Sequence, residues 1–98
     1  DNGQKIALLC QAIVNQRRDE YAAKYHLELA WLMHATLPRR AAYELGRYME
    51  IKRRFKKRVA PSAVRLQERL GQVQPVTAKE EQTLYDRSAE AVRGILAG

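Results

Sequence analysis

Two histidines, one cysteine and two adjacent acidic pairs are the residues of this chain that could perform metal, nucleophilic or acid–base chemistry. Their spacing argues against each. His26 and His34 stand eight apart with Ala30 midway, and Cys10 stands alone, so no ligand set converges on a metal ion. Cys10 falls on an apolar stripe between Leu9 and Gln11, where it reads as a small buried hydrophobe and not as a thiolate nucleophile. Asp19-Glu20 and Glu80-Glu81 are neighbours in sequence, and helical neighbours point about 100° apart. Surface ion pairs and a helix N-terminus account for them without a carboxylate catalyst. The five glycines are scattered and none precedes a Lys-Ser or Lys-Thr pair, which excludes the phosphate-cradling loop of nucleotide hydrolases. A non-enzymatic domain with no catalytic residue, metal or cofactor is expected.

Arginine offers a different chemistry. The chain carries 18 Lys and Arg against 11 Asp and Glu, a net charge of +7. Residues 1–38 balance at four against four and residues 59–98 at five against five, while residues 39–58 hold nine basic and two acidic side chains. One segment therefore carries the entire excess. On a helical wheel Arg40, Arg47, Arg54 and Arg58 form a narrow stripe about 27 Å long, well separated from Ala41, Leu45 and Val59, although Ile51 falls inside it. Lys57 belongs to the basic run Lys52 to Arg58, interrupted only by Phe55. Arg forks two hydrogen bonds onto a phosphate and stacks on flat rings, which suits a nucleic-acid backbone. Most of the seven aromatic residues are at core spacing; Tyr43 instead sits beside the arginine stripe, where it can stack an unpaired base. The expected contact residues for DNA or RNA are thus Arg40, Tyr43, Arg47, Arg54, Lys57 and Arg58. The alternative is a protein-interaction, adaptor or regulatory domain whose basic helix meets an acidic partner, and a match between the cations and the helix dipole is the plainest reading of the run.

The elements that would hold these residues are helices. Apolar residues recur at spacings of three and four, with few Pro and Gly to interrupt them, and no strand pattern is seen. Asn2 can cap a first helix with a stripe of Ile6, Leu9, Cys10, Ile13 and Val14. The pattern blurs at Asn15 to Glu20, where either one long helix bends or two meet. Leu27 to Leu37 is apolar on nearly every side and belongs at the centre of a bundle. Pro38 starts the basic helix and Pro61 stops it, Ser62 opens a short helix that Gly71 ends, and Thr77 with Glu80 has capping-box spacing for the last helix, whose stripe has Ser88 at its middle. The reading is an all-α, four- or five-helix bundle in one domain, with helices over roughly 3–24, 26–36, 38–59, 62–71 and 78–96. Ala42-Tyr43-Glu44-Leu45-Gly46 resembles the Ala-x-x-Leu-Gly stretch of helix-turn-helix DNA-binding proteins, where Gly permits the turn before the recognition helix. Those proteins place an aliphatic residue six positions after the glycine, where Lys52 stands here, so an uninterrupted helix through Gly46 is expected.

Size bounds the rest. A chain of 98 residues makes one compact domain the expectation, and 46% hydrophobic residues suffice for a core of modest stability. The longest apolar stretch is far short of the roughly 20 residues of a membrane span. A single cysteine points to a reducing, cytoplasmic setting. Asp1 to Gln4 has no initiator Met and no signal-peptide pattern, so the domain is expected to work as part of a larger protein or assembly. The wide apolar girth of Leu27 to Leu37, with Lys52 on the apolar side of its helix, also suggests a homodimer or a helical partner.

Overall fold

Helix formation follows the three-and-four periodicity throughout residues 2–97, which a computed structural model describes. Five helices form: α1 (Asn2–Asn15), α2 (Asp19–Met33), α3 (Pro38–Arg54), α4 (Pro61–Leu70) and α5 (Ala78–Ala97). No strand occurs among the described residues, and the fold is an all-α five-helix bundle. None of these helices is long and apolar enough to cross a membrane.

Helix α2 packs along α3 on one side and α1 on the other, α5 lies along α1, and α4 rests on α3. Leu29, Ala30 and Met33 of α2 are fully buried, with Ala41, Leu45, Tyr48 and Ile51 of α3 and Leu66 and Leu70 of α4 completing the core around them. The stretch Leu27 to Leu37 is central only through Leu29, Ala30 and Met33, since α2 closes at Met33 and Ala35 and Leu37 beyond it are exposed. Trp31 and Leu32 remain half-buried at its outer edge.

Four boundaries depart from the sequence reading, one of them the end of α2, which falls at Met33 and not near 36. Helices α1 and α2 meet at Gln16–Arg18 instead of continuing to residue 24, because Asp19 and Glu20 begin a new first turn whose dipole favours acidic side chains. No break follows at residue 25. Helix α3 ends at Arg54, not near 59. Lys57 N–H reaches back to the Lys52 carbonyl at 2.9 Å and Lys56 N–H to that of Arg53 at 3.2 Å, a Schellman closure that puts Lys56 at φ +53°. Turning there lets Ala60 N–H donate to the Tyr48 hydroxyl at 2.8 Å and folds Phe55 and Val59 onto the core. Pro61, expected only to stop α3, is instead the first residue of α4, ahead of Ser62.

Other signals act as written. Helix α3 runs unbroken through Gly46, so the glycine turn of a helix-turn-helix is absent. Gly71 ends α4 at φ +53°. Thr77 accepts the Glu80 N–H at 3.1 Å, while the Glu80 carboxylate takes the Thr77 hydroxyl at 3.3 Å, forming half of the reciprocal cap. The connection before it is pinned to the start of α3: Val76 N–H donates to the Arg39 carbonyl at 3.1 Å, and Arg39 Nε to that of Gln74 at 3.2 Å.

Candidate functional site

The residues with chemistry separate into a sealed polar network and a basic end. Glu44 lies between the buried Tyr48 and Ile51 on the wheel of α3, which places its carboxyl inside the bundle with no exposed surface. His26 of α2 meets it, Nδ1 to Oε1 at 2.6 Å, and the Tyr85 hydroxyl of α5 donates to Oε2 at 2.7 Å. Glu81, one turn before Tyr85, is equally buried and takes the Arg40 guanidinium at 3.1 Å. Three helices are thus tied at one point.

Burial decides the protonation here. It raises Glu81 from the usual carboxylate range to about 9, and the neighbouring Glu44 reinforces the shift. Glu81 therefore carries a proton at neutral pH, which relieves the repulsion that two ionised carboxylates would have there, while its Oε2 stays buried without a hydrogen-bond partner among the described residues. Burial also moves Glu44 upward, against the donors around it. His26 is lowered to about 4 by burial and then by the Arg47 charge, so it stays neutral and donates Nδ1–H to Glu44. Cys10, fully buried near Ser88, is raised to about 11 by burial and is no thiolate. With both carboxyls closed to solvent, a substrate could reach them only if the helices parted. His34 is occupied elsewhere, donating Nδ1–H to the Trp31 carbonyl at 2.6 Å.

The expected arginine stripe does not stand apart from the core. Glu44 and Ile51 share its face, and both are buried, so this face of α3 packs against α2 and α5. Arg40 is spent on Glu81 and Arg47 pairs with Glu50 at 3.1 Å. Tyr43 is half-buried, in a shallow recess with Arg47, Glu50 and Pro75. Arg54, Lys57 and Arg58 lie at the opposite end of α3, the last two beyond its final turn. The structure therefore splits the six expected residues between two places.

A partner segment joins the second group. The Arg54 guanidinium meets Asp19 at 3.3 Å and the Lys57 ammonium meets Glu20 at 3.5 Å, which sets the α1–α2 junction beside the α3–α4 loop. Residues 16–24 and 50–58 together bring nine cations, Arg17, Arg18, Lys24, Lys52, Arg53, Arg54, Lys56, Lys57 and Arg58, against Asp19, Glu20 and Glu50, so +6 of the +7 gathers at this end. Arg17, Arg18, Lys24, Arg53, Lys56 and Arg58 are exposed and form no ion pair with the described residues. The exposed aromatic ring here is Tyr21, 49% accessible, with the Arg18 guanidinium 5.1 Å above it.

Sequence reasoning missed Glu44, Glu81, His26 and Tyr85 as a group, although Glu44 inside the apolar stripe of α3 and Glu81 seven residues before Ser88 were the available signals. It missed Tyr21 because helical spacing assigned that ring to the core. No curated protein and no solved structure matches the chain. The family described as DUF7017, a domain of unknown function, matches residues 1–91, and the chain belongs to it.

Proposed function

We propose that this domain is a non-enzymatic module that grips the phosphate backbone of nucleic acid through its basic end, reading little sequence. The observation that carries this reading is the meeting of residues 16–24 with residues 50–58, which leaves six exposed cations without an acidic partner among the described residues. Phosphate contacts of this kind release counterions, and about four of them give a log–log salt slope on the order of −3 to −4. Fluorescence anisotropy with random-sequence DNA and RNA across a salt series tests it. Arg53→Glu with Arg58→Glu should abolish binding while the circular dichroism spectrum is retained, since both side chains are exposed. A slope near zero, or no binding at low salt, would transfer the basic end to an acidic protein partner. Cys10, buried and reduced, suits the cytoplasmic setting this reading assumes.

A groove on the other face favours a second reading alongside the first. Lys5, Leu8, Leu9, Glu28, Trp31 and Leu32 line a hollow of about 520 Å³ between α1 and α2. Opposite charges on one patch complement each other under a two-fold axis, so a second copy of the chain is the proposed occupant. Light scattering over a hundredfold concentration range checks this, and a monomer mass throughout would rule the dimer out.

A further inference from the structure

At the basic end, Gln16, Glu20, Tyr21, Ala23, Lys24 and Lys52 enclose a recess of about 380 Å³, within the size range of small-ligand sites. We propose that this recess accepts an unpaired nucleobase, stacked on the Tyr21 ring, so that the preferred ligand is single-stranded nucleic acid. Three features converge. Tyr21 presents an accessible ring, and Ala23, buried beside it, lines the recess. The Arg18 guanidinium lies 5.1 Å from the centroid of that ring, and aromatic rings and guanidinium planes are both surfaces on which bases settle without regard to sequence. Lys24 and Lys52 both line the recess and supply cations for the phosphates that flank a splayed-out base. The one carboxylate in the wall, Glu20, has its charge offset by Lys57 at 3.5 Å, so the recess does not repel a polyanion. A duplex, whose bases are already stacked on each other, can use the cations but not the recess.

The site presupposes the phosphate grip proposed above, and the experiment separates the two. Anisotropy at fixed salt compares three ligands for the 98-residue chain: a twelve-nucleotide single strand, the same strand with abasic residues, and a twelve-base-pair duplex, each in deoxy and ribo form. The base-bearing strand should bind most tightly. Tyr21→Ala should weaken it by about 5- to 150-fold, the range that loss of one aromatic stack produces, while leaving the abasic strand and the duplex unchanged. Tyr21→Phe should retain the wild-type preference, because the ring and not the hydroxyl does the stacking. Equal affinity for base-bearing and abasic strands, with binding still abolished by Arg53→Glu and Arg58→Glu, would overturn the recess and leave the phosphate grip standing. Failure of every ligand to bind would overturn both. Tyr21 is exposed, so the variants should fold, and matching thermal melts would verify it.

Discussion

Glu44 Oε1 lies 2.6 Å from His26 Nδ1, joining α3 to α2 in a place where neither side chain reaches water. The carboxyl is the acceptor on which the His26 N–H and the Tyr85 O–H both depend. Buried donors deprived of an acceptor cost more than the bonds themselves contribute. Glu44→Leu should therefore destabilise the fold by about 3 kcal/mol, whereas Glu44→Gln, which keeps an oxygen acceptor, should cost less. Urea midpoints measure both, and equal losses would show that volume and not hydrogen bonding governs the site.

Alkaline pH should weaken the fold before neutral pH does. Glu81 holds its proton to about pH 9 in the folded chain and would release it near 4.5 when unfolded, so the folded state binds more protons between those values and stability falls as pH rises through them. Glu44 is shifted in the same direction. His26 acts oppositely: it is neutral in the fold down to about 4 and would charge near 6.5 when unfolded, so its effect is lost stability on acidification below 6.5. The two oppose each other between 4.5 and 6.5. From 6.5 to 9 Glu81 sets the decline, at up to about 1.4 kcal/mol per pH unit. Denaturation at pH 6.5, 7.5 and 8.5 should show the decline, and Glu81→Gln should flatten it; a flat wild-type profile would contradict the protonated Glu81.

Gly46 is exposed in the middle of α3, and a Cβ there would meet nothing within 4 Å. Gly46→Ala should stabilise the protein by about 0.5–1 kcal/mol through lower unfolded-state freedom and better helix propensity. A destabilised variant would mean that the helix needs flexibility at that point.

Lys56 occupies φ +53° without being glycine. Its left-handed conformation costs roughly 1 kcal/mol, which Lys56→Gly should recover. The same change removes a cation from the basic end, so the salt slope for nucleic acid should become shallower by about 0.9 while thermal stability rises. A slope that stays the same would place Lys56 outside the contact surface.

The helices were legible because apolar periodicity, Pro38, Gly71 and Thr77 all act locally, within a turn or two of where they stand. The end of α3 was not, since what turns the chain at Lys56 is the later capture of Ala60 by Tyr48 and the packing of Val59, neither of which a wheel displays. The arginine stripe misled for a similar reason. A wheel ranks faces by their own residues, and Arg40 looked solvated until α5 delivered Glu81 from 41 positions away. Net charge per segment located six of the nine cations of the basic end, but Arg17, Arg18 and Lys24 were cancelled within residues 1–38, four basic against four acidic, and could join it only through the α2–α3 packing.

The tie between α3 and α5 also sets an order of events in folding. Tyr85 and Glu44 are 41 residues apart, so their bond requires a long loop to close, whereas α2 meets α3 across a short turn. Loop closure must be met before such a distant contact returns anything. The hairpin of α2 and α3 is then expected to assemble early with the Glu44 carboxylate still hydrated, and the arrival of α5 to strip that water and seal the protein last. Substitutions at Glu81 and Tyr85 would accordingly speed unfolding and leave the folding rate nearly untouched.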